Sequence, residues 1–400
     1  MEQQSADAPV QVPGAAASSA LRALIGAIAS ISVMGLASGL TLPLVSLRLL
    51  QAGASATAIA VMAALPAVGT IGMSFLLAAL TRRLGAKTLL IGGIVLSCVS
   101  VLVLATPYAP VPWVLSRLGT GISASILFGL GEARILEVSG DSARGRWTGV
   151  YATTLTACQF AGPTLLAALG TQSLLPLWIA AALHVVSITF LIGTRWRAAP
   201  ALQEPVLALR EFVANSLPLA SAVLFFAMFD SAVLSLLPVY GLKLGLATRL
   251  AILLATVVFL GDACLQIPIG WAADRFGRAG THRLCALLTA LLALALSLGL
   301  AAHAALWLCL FLMGGTAGAL YTLAIVRIGD RFRGTRLIAA NAFVGMLWGL
   351  GSLCGPVLAS VAMAAVNPQG LMLFVGVGAA ACLLLMLRGG PPERALLRLP

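Results

Sequence analysis

Two aspartates interrupt long apolar stretches of the 400-residue sequence: Asp230 within residues 214–240 and Asp262 within 249–272. An ionisable group in such a setting costs at least about 2.5–3.5 kcal/mol at mid-bilayer, so its position is informative. A carboxyl there can take up and release a proton as access to water changes, which is chemistry for coupling. The alternative is a structural hydrogen bond to a neighbouring helix. Gln266 follows Asp262 by four residues, so both fall on one helical face. Arg117 sits roughly 10 Å from the middle of its stretch, 112–136, at 1.5 Å per residue. Its guanidinium cannot be neutralised and must find water, a carboxylate or carbonyl oxygens. Gln159, Tyr321 and Trp348 are further polar or aromatic groups deep in apolar stretches. Trp348 either stacks on an organic solute or packs between helices. Glu132 and Arg134 read as partners of each other or of a latch. His184 reads as a capped or lipid-side histidine rather than a proton relay.

Other chemistries lack their residues. No GxxxxGK[ST] loop is present, so ATP-driven work within this chain is not expected. HExxH, GxSxG and paired-histidine motifs are missing too, so the chain does not read as an enzyme. The seven cysteines all sit in apolar runs without CxxC spacing, implying neither a metal site nor a disulfide framework. No cofactor is expected; a proton gradient is the natural energy source.

The elements that must position these groups follow from composition. The chain is 60% hydrophobic and 9% charged, with mean hydropathy +1.06. Soluble domains carry roughly a quarter charged residues. That excludes a cytosolic enzyme or secreted domain and leaves an all-α polytopic membrane protein. Twelve apolar stretches qualify as spans: 21–47, 57–80, 88–106, 112–136, 147–169, 174–194, 214–240, 249–272, 283–301, 305–328, 337–361 and 370–387. Residues 1–19 read as a disordered tail without the basic start of a signal peptide. A six-helix unit over 20–194, a linker over 195–212, a second unit over 213–388 and a tail over 389–400 complete the organisation.

The net charge of +12 is not read as a nucleic-acid signal. Arginines collect in alternate loops, at Arg82 and Arg83, Arg144 and Arg146, Arg195 and Arg197, Arg275 and Arg278, and Arg331 and Arg333. By the positive-inside rule those loops and both termini face the cytoplasm. Trp113, Trp178 and Trp307 would mark the outer interface, and Trp147, Trp196 and Trp271 the inner one.

The two halves repeat. Leu42-Pro43 returns as Leu237-Pro238, Arg83-Leu84-Gly85 as Arg275-Phe276-Gly277, Gly140-Asp141 as Gly329-Asp330, and Gly162-Pro163 as Gly355-Pro356. The offsets are 195, 192, 189 and 193 residues. Four landmarks in order at nearly one offset point to two six-helix units of common ancestry.

Three motifs then carry a resemblance. Gly270-Trp271-Ala272-Ala273-Asp274-Arg275-Phe276-Gly277-Arg278 reads GxxxDRxGR. Arg117-Leu118-Gly119-Thr120-Gly121 lies in the fourth span, and the Gly-Pro pairs at 162–163 and 355–356 lie in the fifth and eleventh. Together they resemble the signature loop, the fourth-helix motif and the antiporter motif of the major facilitator superfamily. The resemblance covers about Ala20 to Leu387. It implies alternating access by two rocking halves around a midplane site, with spans one, four, seven and ten lining the cavity. It also links Arg117 to proton coupling; a structural ion pair is the other reading. The chain departs from the family pattern at Arg82, where an Asp is expected. Charge-swapped cytoplasmic latches, Arg82 with Glu137 and Asp274 with Arg327, would compensate.

These readings imply a secondary transporter of a bacterial inner membrane, acting as a monomer and moving a small organic solute, with proton antiport favoured by the Gly-Pro elements. The alternatives are a proton-coupled importer or facilitator of the same fold, and a non-transporting sensor or assembly protein.

Overall fold

The computed structural model describes residues 13–138, 140–192, 209–299, 303–332 and 334–388. The chain forms α1 (Pro13–Gln51), α2 (Ala56–Leu84), α3 (Ala86–Val103), α4 (Pro110–Val138), α5 (Gly140–Leu169) and α6 (Leu175–Thr189) in its first half. The second half holds α7 (Leu209–Lys243), α8 (Thr248–Phe276), α9 (Arg278–Ser297), α10 (His303–Arg331), α11 (Gly334–Ala365) and α12 (Gly370–Arg388). Runs of Leu, Ala, Val and Ile satisfy every backbone group within the helix, the condition for crossing hydrocarbon. Among the described residues, ten helices are long and apolar enough to cross a membrane on their own. Of the other two, α5 begins with a polar stretch and α6 has only 15 residues.

Each half is a six-helix bundle in which α1 packs on α5 and α2 on α4, and correspondingly α7 on α11 and α8 on α10. Bundle meets bundle through α2 on α11, α5 on α8 and α1 on α7. The repeat seen in the sequence recurs as contacts. A Cβ on Gly121 would strike the Pro66 carbonyl, and one on Gly314, 193 residues later, would strike the Val258 carbonyl. Gly69 faces the Leu118 carbonyl as Gly261 faces that of Phe311. Gly85 and Gly277 turn the chain with φ of 82° and 100°, each ending one helix and starting the next.

The structure departs from expectation in several places. Helix α1 starts at Pro13, inside the stretch expected to be a tail: proline is at home at N1 and alanines follow it. Residues 1–12, most of the 195–212 linker and the 389–400 tail lie outside the described residues. Ser216 in α7 leaves helical geometry (φ −133°, ψ 24°), as the ring of Pro218 disrupts the turn before it. Trp113, expected at an interface, is buried with its ring edge-on to Tyr108 at 5.1 Å. Trp178 and Trp271 are exposed as an interfacial ring should be.

Arg48 lies at the end of α1 away from the arginine-rich loops and has a structural task. Its Nε and Nη2 donate to the Thr171 carbonyl (3.2 and 3.0 Å), and Nη1 donates to that of Leu104 (2.8 Å). One side chain thereby ties α1 to the chain after α3 and after α5. Arg48→Ala is expected to destabilise the purified protein by about 2–3 kcal/mol, because charge-assisted bonds to carbonyls are lost together. A thermal melt in detergent reads this; an unchanged midpoint would show that the tie contributes nothing.

Candidate substrate and coupling site

Asp230 lies near the middle of α7 and is buried. Its Oδ1 accepts from Gln159 Nε2 of α5 at 3.3 Å, a bond between the two halves. Asp262 lies at the middle of α8 and accepts from Gln266 Nε2 at 2.6 Å, one turn along the same face. Its carboxylate rests on Gly318 of α10, where a Cβ would overlap Oδ1. Asp230 and Asp262 are close enough to interact electrostatically. Both acids therefore face protein rather than acyl chains.

The first half has no counterpart acids. At the positions 192 residues before Asp262 and Gln266 stand Thr70 and Ser74, and 192 residues before Asp230 stands Ser38. Thr70 donates to the Pro66 and Gly121 carbonyls, both at 3.0 Å, and Ser74 shares a 3.2 Å bond with Ser125. The same strip exists in each repeat, but only the second carries ionisable groups.

Tyr321 of α10 and Trp348 of α11 are both partly exposed and meet at 5.1 Å between ring centroids. Phe226 of α7 stands 5.5 Å from Tyr321 and 5.8 Å from Trp348. Glu132 of α4 is exposed and accepts from the Tyr151 hydroxyl of α5 at 2.6 Å. Among the described residues α4 and α10 form no packed interface, yet Glu132 and Tyr321 interact electrostatically. Glu132 belongs to the first half and Tyr321 to the second, so the seam between the bundles passes close to both and forms the candidate cleft. The cleft is crossed at its far end, where Thr164 and Thr256 hydroxyls of α5 and α8 lie 3.4 Å apart. At the arginine-bearing end the described ion pairs stay within one half.

Arg117 stands apart from the acids. It is 1% exposed, with Nε donating to the Met62 carbonyl (3.3 Å) and Nη1 to Thr41 Oγ1 (3.1 Å). It ties α4 to α1 and α2 through a carbonyl and a hydroxyl, the first of the partners its fixed charge demands.

The loop motif is organised differently from the expected latch. Asp274 pairs with Arg278 at 3.2 Å, and Arg278 also pairs with Asp330. The turn at Gly277 brings Arg278, four residues on, back over Asp274. Arg327 instead meets His282 Nδ1 at 3.1 Å. Arginine can only donate, so Nδ1 accepts and His282 Nε2–H donates to the Leu320 carbonyl at 3.0 Å. The Glu137 side chain lies outside the described ones; Arg82 and Arg83 are exposed. Arg275 lies over the Trp271 and Phe276 rings at 5.6 and 5.8 Å. Gly270 has open space around it, as does Gly345. The Gly-Pro elements behave as repeats: Gly162, before Pro163, abuts the Leu36 carbonyl, and Gly355, before Pro356, abuts that of Met228.

Nothing along the chain marks Tyr151 as the partner of Glu132, Phe226 as part of the aromatic cluster or Asp330 as the partner of Arg278. Asp330 was visible as a repeat landmark, although its charge was unused. Glu132 and Tyr151 sit on different helices at no diagnostic spacing.

The Major Facilitator Superfamily model matches residues 27–253 and again 219–398. The chain is 24% identical over 377 residues to YfkF, an uncharacterized MFS-type transporter of Bacillus subtilis strain 168, covering 90% of this chain and 94% of that one. A D-xylose-proton symporter structure superposes with TM-score 0.73 at 17% identity, over 93% of this chain and 97% of that one. A mutant form of the nucleoside transporter NupG gives 0.72 at 14% identity, over 93% and 100%.

Proposed function

The chain belongs to the Major Facilitator Superfamily, and on that footing we propose that it is a proton-coupled antiporter exporting a small organic solute by alternating access. It is a multi-pass membrane transporter and not an enzyme. The observation that carries the finer reading is the pair Asp230 and Asp262 at mid-membrane depth, one of them bound to the opposite half through Gln159. An ionised Asp230 accepts a charge-assisted bond from Gln159; proton uptake removes the charge and weakens that tie. Protonation is thereby linked to how the halves are held together, which is what coupling requires. The Gly-Pro elements of α5 and α11, which resemble an antiporter motif, support export over uptake. One chain encloses the whole cleft, so a monomer suffices. The positive-inside rule supports a cytoplasmic location for the arginine-rich end, and a bacterial inner membrane is the setting proposed for the chain.

Reconstitution into proteoliposomes tests the proposal. An imposed pH gradient is expected to drive a solute in the direction opposite to protons, and a protonophore to stop it. Movement in the same direction as protons would replace antiport by uptake. Solute movement indifferent to both would remove proton coupling.

Alternating access has its own check. Thr164→Cys with Thr256→Cys, in a background without the seven native cysteines, places two thiols where hydroxyls now stand 3.4 Å apart. Oxidation is expected to join them, since thiols this close can meet the distance a disulfide needs, and to arrest transport until reductant is added. Undiminished transport by the crosslinked protein would show that the far end need not open.

A further inference from the structure

We infer that the end of the molecule away from the arginine-rich loops holds a medium-chain alkyl carboxylate, in a cavity apart from the midplane acids. The cavity has a volume of about 230 Å³ and lies on the seam between the halves. Leu50 of α1 and Ile59 of α2 line it from the first half. Leu236 and Lys243 of α7 and Met363 and Ala364 of α11 line it from the second. Lys243 stands roughly 20 Å along α7 from Asp230. Among the lining residues it is the sole ionisable one. The loops at this end, 52–55, 104–109, 170–174, 244–247, 298–302 and 366–369, contain no Asp or Glu. An anion arriving here meets a cation and no acid.

Comparison of the two halves shows why Lys243 has bonding capacity to spare. Its counterpart 195 residues earlier, Arg48, spends its N–H groups on the Thr171 and Leu104 carbonyls. Lys243 repeats only the first of these ties: it reaches the turn after the fifth helix of its own half, donating to Asn367 Oδ1 at 2.7 Å. Among the described residues this is its one hydrogen bond. An ammonium has three N–H donors, so two are left for a ligand. A carboxylate accepts from them with charge assistance. Ser360 apart, the rest of the wall is apolar and selects the tail. An apolar cavity of about 150 Å³ can hold benzene. This one therefore has room for a single alkyl chain of medium length, and not for the paired chains of a phospholipid. Burial of the chain supplies affinity and the lysine selects the charge. A molecule held there touches both halves at once.

Equilibrium dialysis of radiolabelled octanoate against the full chain in phosphatidylcholine nanodiscs, corrected with empty discs, tests this. Octanoate is expected to bind. Octylammonium, with the same tail and the opposite charge, and acetate, with the head and no tail, are each expected to leave it in place. Lys243→Gln is expected to weaken octanoate binding about tenfold, through loss of the charge-assisted bonds. Ala364→Phe is expected to abolish binding, because the ring fills the space the chain would take. Both variants must first elute as single species and melt like the parent protein; they lie on different helices, so one misfolded variant does not remove the test. The inference is overturned if the folded parent ignores octanoate, if octylammonium competes as well as unlabelled octanoate, or if either folded variant binds like the parent. Displacement of octanoate by phosphatidylglycerol added to the discs would overturn the choice of a free acid over a lipid.

Discussion

Asp230→Asn is expected to bring proton-driven solute movement in proteoliposomes down to background, about a hundredfold below the parent protein, the upper range of ordinary coupling free energies. The amide is nearly isosteric with the carboxyl and keeps an oxygen that can accept from Gln159 Nε2, as Asp230 Oδ1 does now at 3.3 Å. The bundle should therefore fold and melt as before. What disappears is the change of charge at that point, and with it the change in strength of the bond between the halves. Asp262→Asn is expected to do less to the link between halves, because Asp262 is held from its own helix by Gln266 and seated on Gly318 of α10, all within the second half. The decisive measurement is the initial rate with and without an imposed gradient. Gradient-driven movement at the parental rate in Asp230→Asn would shift the coupling role to another group. Equal loss in both variants would show that the two carboxyls act as one unit.

Gly314→Ala is expected to disrupt the second bundle, at a cost of about 3 kcal/mol or more, because the methyl group has no room to relax into. The atoms it meets belong to the Val258 backbone on α8, and neither helix can yield without breaking its own hydrogen bonds. The reciprocal contact, Gly261 against the Phe311 carbonyl, holds the same two helices at the same separation. Gly121→Ala should behave alike against Pro66 in the first half, since the contact is repeated there. Gly345→Ala is the matched comparison. It is also in a membrane helix, but nothing lies within 4 Å of the added carbon, so its melting point should stay at or slightly above the parental value. Size-exclusion profiles and melting midpoints of the three variants decide the matter. A monodisperse, parental-like Gly314→Ala would mean that α8 and α10 do not need this close approach.

A large part of the architecture could be read directly along the chain. The spans follow from runs of apolar residues long enough to cross hydrocarbon, and each run keeps its meaning without knowledge of any other. The repeat was legible because its landmarks, among them Gly85 with Gly277 and Gly162 with Gly355, answer to local needs: a positive φ in one pair, a close helix approach in the other. The mid-helix position of Asp230 and Asp262 was legible for the same reason, as it is counted in residues from a helix end. Helix ends were less so; α1 runs back to Pro13 and α6 stops at Thr189 because composition near an end suits helix and loop alike.

Partnership was decided only in three dimensions. Depth alone does not say which way a side chain points, since each residue turns the direction by about 100° and nothing along the chain fixes how neighbouring helices are rotated against one another. So Glu132 met Tyr151 of α5, Asp274 met Arg278 across its own turn, and Arg117 settled on a carbonyl and a hydroxyl. The hydrophobic pattern sets how far into the bilayer each group sits; the packing of glycines against carbonyls sets which groups then face each other.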